Sequence, residues 1–492
     1  MFGCILEANK VSGAMRTNLV TNVNASGAGS LRQAILDAGI DDLTTINFQP
    51  GIAGNTIYVD KQLNLNRDLV INGPGASVMS LTASFGQRVF QVDSHNVSIS
   101  GFTIRDCQVI GEAGQPSQNG ADIDGGAIVN FGSLSLADCV ISNNLVEAGA
   151  GGDTTGFQIA GNGGNARGGA IANFGTLALT RCTLVTNQAI GGVSGVGDTT
   201  DYDGYGGDAS GGSIYSQGDI HLTNCTVYAN RALGGNSPIG NGYATGGGIR
   251  NNANALDLVT CTIATNLAFS GSGGGIYDAG PTGVYRNSTI VLNQSGRSGG
   301  IYCAGADIGN CIIAANNNGG TGPDIEGNFL SSDYNLIRDG RGWFNNGPIT
   351  HTIIGLDPVL GPLQNNGGPT PTLALLQGSP AIDQGKSFGI LTDQRGRVRP
   401  FDIPELVNVA GGDGSDIGAF EVVSPLLHIA RSGNSALLTW STNVPGFQLE
   451  SNTNLGSSLS WSIVPGIPSV SGTQFLVSDG LIGIKFYRLR SQ

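Results

Sequence analysis

Acidic side chains cluster in one glycine-rich stretch of the sequence. Carboxylates on a turn-rich backbone supply the hard oxygen ligands that Ca²⁺ prefers, and the ion takes about six to eight of them. The spacing is not that of an EF-hand loop, whose first ligand position would fall on Thr199. The stretch therefore predicts either a calcium site of another kind or a solvated acidic face. The candidate ligands, within residues 188–210, are Asp198, Asp201, Asp203 and Asp208.

Aromatic side chains occupy three long glycine-rich segments in which most other residues are small. An exposed ring beside Asp and Asn suits stacking on a sugar ring, with hydrogen bonds to the sugar hydroxyl groups. The alternative is that the rings fold back onto the protein and anchor the segments. The segments are 145–167, 188–210 and 231–245, and the candidate ligand-binding residues are Phe157, Tyr202, Tyr205 and Tyr243.

The sequence offers little for catalysis on a polysaccharide. The four histidines are scattered and none stands next to a glycine, as a GHG-type hydrolase motif requires. A calcium-dependent lyase needs a basic residue that removes a proton, and residues 100–330 contain no Lys. Arg250 directly follows a glycine-rich marker, but no sequence feature pairs it with the acidic stretch. Catalytic residues are therefore unknown, and the remaining candidate bases are Arg231, Arg250, Arg286 and Arg297.

Composition restricts the class of protein. Of 492 residues 81 are Gly, and only 12% are charged. Glycine is a poor helix former, and these glycines lack the three-residue period of collagen. No apolar run of about 18 residues predicts a membrane span, and the net charge of −13 argues against nucleic acid and anionic membranes as partners. Residues 1–16 do not form a convincing signal peptide. A turn-rich, all-β protein remains.

A repeated block organises the middle of the chain. Each copy opens with a glycine-rich marker containing Ile, and a Cys or Ser follows that Ile by 10 to 12 residues. An aliphatic residue two positions later shares its strand face, which predicts buried packing rather than a metal site. Five positions after the Cys comes an Asn, which predicts a turn with left-handed backbone at the Asn and bonds between equivalent Asn residues. The columns are Cys139, Cys182, Cys225, Cys261, Ser288 and Cys311, and Asn144, Asn187, Asn230, Asn266, Asn293 and Asn316.

The spacing of the copies identifies an architecture. Successive members of the Cys column, beginning with Cys107, are 32, 43, 43, 36, 27 and 23 residues apart. The extra residues all fall between the Asn column and the next marker, and insertions at one position of a stacked repeat line one face. A β-propeller would need steadier periods and four strands in each. The pattern therefore predicts a right-handed parallel β-helix with its binding face on the insertions.

Three regions resemble families of bacterial surface proteins. GSLRQAI (29–35) is similar to the CSLREAI motif that opens many surface β-helix proteins, with Gly29 and Gln33 in place of its Cys and Glu. This resemblance implies a short helix, with Ser30 near its N-cap, over the open end of the solenoid. The markers and Asn column resemble repeats of polymorphic outer-membrane proteins and other pectate-lyase-like β-helices.

The C-terminal third of the chain carries the longest resemblance. Four segments resemble the choice-of-anchor Q domain, which implies export and attachment to a cell surface. From about residue 425, alternating apolar residues predict six short strands: LLHIA, ALLTWS, FQLESN, WSIVP, QFLVSD and IKFYRLR. The motifs GFQLESNTNL (446–455), Trp461 and FYRLR (486–490) resemble the end domain common in secreted verrucomicrobial proteins. The four segments are DYNLI (333–337), DPVLGPLQNNGGPTPTLALLQGSPAIDQG (357–385), TDQRGRVRP (392–400) and GSDIGAFE (414–421).

These observations predict an all-β protein in four parts: a right-handed parallel β-helix with a cap, followed by a small C-terminal β-sandwich. The expected function is that of a secreted or surface-displayed, non-catalytic and adhesin-like protein. It would bind a polysaccharide or cell-surface glycan through the insertions and be anchored through its C-terminal module. The alternatives are a calcium-dependent lyase acting on acidic polysaccharide, and a structural stalk. The parts are an N-terminal cap (1–60), the β-helix (61–356), a choice-of-anchor Q-like end (357–423) and the β-sandwich (424–492).

Overall fold

The computed structural model describes most of the chain, namely residues 16–39, 42–252, 255–317, 323–345, 347–403, 406–423, 427–441, 447–454, 461–472, 474–480 and 483–491. The segment tested for a signal peptide lies, apart from its last residue, outside the described residues. Within the described part, no helix has both the length and the apolar character needed to cross a membrane.

A short helix closes the N-terminal end of the solenoid, as the sequence predicts. It spans Leu31–Leu36, and the Ser30 hydroxyl group caps it by accepting a hydrogen bond from Gln33 N at 3.1 Å. Leu31 and Ile35 are buried and join the interior of the first coils. The helix therefore covers apolar surface that the first coil would otherwise expose.

Parallel strands stacked coil on coil form the predicted right-handed parallel β-helix. Each central coil places two strands in sheet A, one in sheet B and one in sheet C, and coils with insertions add a short strand in sheet D. Equivalent residues pair in register, as Ile128, Ile171 and Ile214 do. Because the register is fixed, each strand buries the same alternate positions in every coil.

The strands of the β-helix have the following bounds. Sheet A contains Arg16–Val20, Thr44–Phe48, Leu63–Leu65, Leu69–Asn72, Phe90–Val92, Asn96–Ser100, Ile128–Asn130, Ser133–Ala137, Ile171–Asn173, Thr176–Thr180, Ile214–Ser216, Ile220–Thr223, Ile249–Asn251, Ala255–Val259, Ile276–Asp278, Thr282–Arg286, Ile301–Gly309, Ile325–Asp333, Gly342–Asn345 and Ile349–Thr350. Sheet B contains Thr56–Val59, Ser80–Ala83, Thr103–Arg105, Val140–Ser142, Thr183–Val185, Thr226–Tyr228, Thr262–Ala264, Thr289–Val291, Ile312–Ala314, Leu336–Ile337 and Ile353–Ile354. Sheet C contains Gln108–Ile110, Leu145–Glu147, Gln188–Ile190, Arg231–Leu233, Leu267–Phe269 and Gln294–Ser295, and sheet D contains Ile123–Asp124, Ala166–Arg167, Ala209–Ser210 and Ala244–Thr245. Single 3₁₀ turns span Pro50–Ile52 and Thr200–Tyr202.

The Cys column lies inside the solenoid as packed core. Cys182 and Cys225 are fully buried, and each described cysteine is a free thiol. Burial raises the pKa of the Cys107 thiol to about 12 and that of Cys311 to about 11. Such thiols stay protonated and act as small apolar side chains, as the sequence predicts.

The Asn column forms a buried ladder along the solenoid. Asn144 Nδ2 donates to Asn187 Oδ1 at 2.9 Å, and the bond is repeated from coil to coil as far as Asn316. The prediction that the Asn itself takes left-handed backbone was wrong. That conformation belongs to the residue before it, as at Thr186 (φ 55°) and Leu292 (φ 60°). Each Asn side-chain amide must point along the solenoid axis to reach the Asn of the next coil, so the residue before the Asn takes the left-handed conformation and makes the bend.

Residues 357–423 pack across the outside of sheet B. A buried Gln394 donates from Nε2 to Thr226 Oγ1 at 2.7 Å, and its Oε1 accepts from Thr262 Oγ1 at 2.6 Å. Further along the same sheet, Ala419 N donates to Thr289 Oγ1 at 3.0 Å. The Thr residues that directly follow the Cys column thus bind this part of the chain. Its strands are Leu360–Gln364 and Thr372–Leu375, which pair antiparallel.

Acidic groups are buried inside this same part of the chain. Asp383 accepts from Ile403 N at 3.0 Å, while its second oxygen is enclosed without a hydrogen-bond partner. Burial raises the pKa of Asp383 to about 7. Burial also raises the pKa of both Asp416 and Glu421, and their mutual repulsion adds to the shift at Asp416.

These groups predict that the protein loses stability as pH rises from 5 to 8. An unfolded carboxyl group titrates near pH 4, so between about 4 and 7 the folded state binds more protons than the unfolded state. The free energy of unfolding therefore falls through this window, by on the order of 2 kcal/mol for Asp383. Urea denaturation at pH 5 and pH 8 measures the difference, and Asp383→Asn should reduce it. A stability that is equal at both pH values, or higher at pH 8, contradicts the prediction.

The described residues beyond 426 form the two antiparallel sheets of the predicted β-sandwich. Leu438, Trp440 and Leu449 are buried between them. One strand more than the predicted six is present, Ser469–Ser471, which pairs with the strand ending at Gly480. One sheet contains His428–Ser432, Ser435–Ser441, Gln474–Gly480 and Ser469–Ser471, and the other contains Ser462–Ile463, Phe447–Asn452 and Phe486–Ser491.

Candidate functional site

The long insertions fold into two ordered layers beside the β-helix. Each insertion runs out from sheet C as one extended segment and returns to sheet D as a second one. Outgoing segments stack on one another, and so do returning segments. We call the two layers together the insert slab. The outgoing layer consists of residues 111–118, 148–154, 191–196 and 234–237, and the returning layer consists of 119–122, 160–165, 203–208 and 240–243.

Backbone hydrogen bonds hold the insert slab together with a three-residue period. That period is the one of the polyproline II helix, which makes no hydrogen bonds within itself and leaves its backbone groups to neighbours. In the outgoing layer Ala148, Gly151 and Thr154 donate to the carbonyl groups of Ile190, Val193 and Val196, each at 2.9 Å. Between the layers Gly164, Gly192 and Gly207 donate to the carbonyl groups of Gly149, Gly164 and Gly192, each at 2.9 Å. The insert slab is therefore a backbone lattice rather than a set of irregular loops.

Glycine is required where the two layers meet. A Cβ atom on Gly192 would lie 1.9 Å from the carbonyl oxygen of Gly149, and one on Gly207 would lie 1.8 Å from that of Gly164. Both distances are far below van der Waals contact. The layers can approach this closely only where no side chain stands between them.

The outer face of the returning layer carries two columns of Asn and Asp side chains. Asn162 Oδ1 accepts from Tyr205 N at 2.8 Å, which links one coil to the next. In the second column Asn165 Oδ1 accepts from Asp208 N at 2.9 Å, and Asp208 Oδ1 accepts from Tyr243 N at 2.8 Å. The members of the two columns are Asn119, Asn162 and Tyr205, and Asp122, Asn165, Asp208 and Tyr243.

The predicted aromatic residues lie at this face and at the adjoining tip of the insert slab. Tyr205 and Tyr243 continue the two columns and are 59% and 73% exposed. Phe157 is 90% exposed at the tip, where its ring meets the half-buried ring of Tyr202 edge-on with centroids 6.0 Å apart. The rings of Phe157, Tyr205 and Tyr243 are therefore not buried anchors, and they are free to meet a ligand.

The four predicted calcium ligands do not form one group. Asp203 is buried and accepts from Gly197 N at 2.8 Å, while Asp198 accepts from Gly156 N at the tip. Asp208 belongs to the outer column, and Asp201 is exposed in the 3₁₀ turn. Among the residues that the structure describes, no three His, Cys, Asp or Glu side chains are placed to hold a metal ion. The calcium site stays a prediction, without support from these contacts.

The outer face of the returning layer carries carboxylate and amide side chains. Partial burial acts to raise the pKa of Asp122, but hydrogen bonds from Asn165 N and Arg167 outweigh it, and the net shift is downward. Arg167 Nη2 lies 2.6 Å from Asp122 Oδ2, so this arginine is already paired. Carboxylate and amide groups beside aromatic rings suit a neutral, hydroxyl-rich ligand.

Sequence reasoning missed the Asn residues of this face. Their signal was present in the spacing: Asn162 and Asn165 are three residues apart, as are Tyr205 and Asp208. A three-residue repeat puts side chains on one face of a polyproline II segment. Strands and helices repeat every 2.0 and 3.6 residues, so neither pattern reveals a three-residue repeat.

Two of the histidines are paired with aspartates. His221 Nδ1 lies 2.9 Å from Asp257 Oδ2, and this hydrogen bond raises the His221 pKa. His351 Nδ1 lies 2.9 Å from Asp333 Oδ1. Both pairs join neighbouring coils at sheet A, away from the insert slab, so they add no base to the candidate site.

Comparisons with known proteins identify no family for this chain. No family model matches the chain, and no curated protein matches it. Among solved structures, the A-module of a mannuronan C-5 epimerase from Azotobacter vinelandii is similar, at 11% identity and a TM-score of 0.30, over 68% of this chain and 98% of that chain. At this TM-score the likeness carries no argument about function. The parallel β-helix follows from the strand pairings alone, and the resemblance to choice-of-anchor Q domains stays a prediction.

Proposed function

We propose that the protein is a non-catalytic glycan-binding protein, displayed or secreted outside the cell, that holds an extended polysaccharide on the outer face of the returning layer. The observation that carries the proposal is the row of exposed rings on a backbone lattice. Tyr205 and Tyr243 stand beside Asn162 and Asp208, so each ring has a polar neighbour that can bond to sugar hydroxyl groups. Residues 357–492 would attach the protein to the cell surface.

The geometry of the lattice favours an extended ligand over a single sugar. Tyr205 and Tyr243 belong to adjacent coils and to columns three residues apart. With a rise of about 3.1 Å per residue and about 4.8 Å between coils, the two positions are about 10 Å apart. Rings at this separation can contact alternate sugar units of one chain.

Rigidity of the face supports binding without a pocket. The ring positions are fixed by backbone hydrogen bonds of 2.8–2.9 Å, such as those to Asn162 Oδ1 and Asp208 Oδ1. Little conformational entropy remains to be lost when a ligand docks on such a surface. Since a stalk would need no such face, the insert slab favours binding over a purely structural role.

The double variant Tyr205→Ala/Tyr243→Ala tests this function. We expect wild-type protein to bind at least one neutral polysaccharide on an immobilised glycan panel, and the variant to bind it at least tenfold more weakly, because the two rings supply the apolar contact. Phe344→Ala is the matched control, since Phe344 is also exposed but lies on a distant coil of sheet A.

Three outcomes contradict parts of the proposal. Equal binding by wild type and double variant removes the returning layer as the site. Release of unsaturated, ultraviolet-absorbing sugars from an acidic polysaccharide supports the lyase alternative instead. An affinity that EDTA leaves unchanged contradicts the calcium prediction without affecting the rest.

A further inference from the structure

A column of aromatic and cationic side chains runs along the outside of sheet A. Its first member, Tyr215, is buried and adjoins the outer face of the returning layer through Arg167, which lies over the Tyr215 ring and is paired with Asp122. The members of the column are the residues that directly follow the Ile of successive glycine-rich markers. Strand pairing puts them in register from coil to coil, and Glu326 follows in the next coil. In order along the solenoid the column consists of Tyr215, Arg250, Tyr277 and Tyr302.

The members of the column stack on one another. The guanidinium carbon of Arg250 lies 3.8 Å from the ring centroid of Tyr277. The rings of Tyr277 and Tyr302 are stacked with centroids 4.4 Å apart and planes 24° apart. Because their faces cover each other, these rings have edges and hydroxyl groups left for a ligand. Arg250, Tyr277 and Tyr302 are all half-buried, so part of each side chain remains open to solvent.

Arg250 differs from its neighbours because, within the part of the chain that the structure describes, no carboxylate lies at ion-pair distance from its guanidinium group. Its Nε and Nη1 atoms are enclosed and make no hydrogen bond. By contrast, Arg167 at one end of the column is 2.6 Å from Asp122, and Arg297 at the other end is 2.6 Å from Glu326. A partly buried cation without a counter-ion is costly, and stacking on an aromatic ring offsets only part of that cost.

Asp278 is the carboxyl group next to the column, and its hydrogen bonds go elsewhere. Its Oδ1 accepts from Asn251 Nδ2 at 2.8 Å and Gly280 N at 2.9 Å, and its Oδ2 accepts from Tyr285 Oη at 2.6 Å. Asp278 is fully buried, so it faces the interior rather than the outer surface of sheet A. The attraction between Asp278 and Arg250 therefore acts across the sheet, without a hydrogen bond from Arg250 Nε or Nη1 to Asp278.

We propose that this column binds an anionic polysaccharide, with Arg250 contacting a carboxylate or sulfate group of the chain. A guanidinium N–H donates a strong, charge-assisted hydrogen bond to such an anion, and Nη2 is the Arg250 nitrogen that is not enclosed. A polymer fits better than a small anion because the half-buried members of the column, Arg250, Tyr277 and Tyr302, occupy three successive coils. The two tyrosines offer hydroxyl groups to the neighbouring sugar units. The proposal goes beyond the glycan binding assigned to the insert slab, whose Asp122 and Asp208 disfavour anions.

Affinity electrophoresis of the full chain at low salt tests the proposal. The probes are polygalacturonate for carboxylate groups, dextran sulfate for sulfate groups, and neutral dextran. We expect wild-type protein to be retarded by at least one anionic polymer, with an affinity that falls as salt is added, and Arg250→Gln to bind that polymer at least tenfold more weakly. Arg181→Gln should bind as wild type does, because Arg181 is paired with Asp138 elsewhere on the β-helix.

Each other outcome overturns the proposal. The first is that wild-type protein binds neither anionic polymer more tightly than it binds dextran. The second is that Arg250→Gln binds the anionic polymer as tightly as wild type does. The third is an equal loss of affinity in Arg181→Gln, which would indicate that binding depends on net charge alone. Thermal unfolding accompanies the assay, and Arg250→Gln is expected to remain folded, because it removes a partly buried cation whose cost the stacking on Tyr277 offsets only in part. If Arg250→Gln does not fold, Tyr302→Ala is measured in its place, and unchanged binding of the anionic polymer by Tyr302→Ala overturns the proposal. The Tyr205→Ala/Tyr243→Ala variant should bind the anionic polymer normally, which separates this site from the insert slab.

Discussion

Replacing Gly192 by valine is expected to pull apart the two layers of the insert slab while the β-helix remains folded. The new Cβ atom would lie 1.9 Å from the carbonyl oxygen of Gly149, so one layer must move by more than 1 Å or unfold. Overpacking of this kind typically costs about 1–3 kcal/mol, and the backbone here has no room to yield. We expect about 3 kcal/mol, lost locally.

Hydrogen exchange of the backbone amides measures this effect where it occurs. The amides of residues 148–165 and 191–208 should exchange much faster in Gly192→Val, while those of the Asn ladder stay protected. Gly156→Asn is the matched control, because Gly156 lies at the tip of the insert slab with open space around it and a left-handed φ of 81° that Asn tolerates. Normal protection in Gly192→Val would mean that the layers are not in contact.

Replacing Arg399 by methionine is expected to destabilise the part of the chain that covers sheet B by about 3 kcal/mol at pH 8. Arg399 and Glu421 are both fully buried, and Arg399 Nε lies 2.9 Å from Glu421 Oε2. Removing one partner of a buried ion pair leaves the other charge uncompensated, which costs about 3–5 kcal/mol. Glu421 also accepts from Phe401 N at 2.6 Å and Asp416 N at 3.1 Å, and these bonds retain part of the stabilisation.

The loss should be smaller at pH 5, which distinguishes charge from packing. Burial raises the pKa of Glu421, so without its arginine this group is protonated at pH 5 and no longer leaves a buried charge. Urea denaturation of Arg399→Met at both pH values, and of Arg399→Met/Glu421→Gln at pH 8, measures the effect. The double variant should recover part of the loss.

The matching exposed pair provides the control. Arg341 Nη2 lies 2.6 Å from Asp339 Oδ2 with the arginine side chain 68% exposed, and Arg341→Met should change stability by at most about 1 kcal/mol. If Arg399→Met costs no more than Arg341→Met at pH 8, the buried ion pair does not hold this part of the chain in place.

The coils could be predicted from the sequence because they depend on local rules, while the short N-terminal helix was implied by the resemblance to the CSLREAI motif. Alternation around Cys182 and Leu184 identifies a strand that buries one face, and Ser30 three residues before Gln33 identifies a helix start. The position of the left-handed residue was misassigned, because a Thr or Leu in that conformation, such as Leu292, has no sequence signature. The conformational energy cost of this left-handed backbone is offset by the stacked Asn amides, which fix the turn.

The candidate site was predictable only in part, for a physical reason. Tyr205 and Tyr243 were found because exposed rings stand out among glycines, but the lattice beneath them depends on backbone groups alone. A hydrogen bond from Gly207 N to Gly192 O involves no side chain, so residue types alone do not predict it. The covering of sheet B was equally hidden, since Gln394 and Thr226 are 168 residues apart and their bond forms only when the coils are complete.

In the insert slab, the contacts that hold the layers together lie mainly in the backbone, while the exposed rings lie on the outer surface. Hydrogen bonds between main-chain atoms, such as that from Gly207 N to Gly192 O, make up most of those between the layers, so the exposed rings carry little of the folding energy. The side chains of Tyr205 and Tyr243 can therefore be exchanged without disturbing the layers, provided that the glycines between the layers and the linking groups of Asn162 and Asp208 are kept. If this surface binds a glycan as proposed, substitutions at its outward positions can change the ligand while the backbone lattice beneath them stays the same.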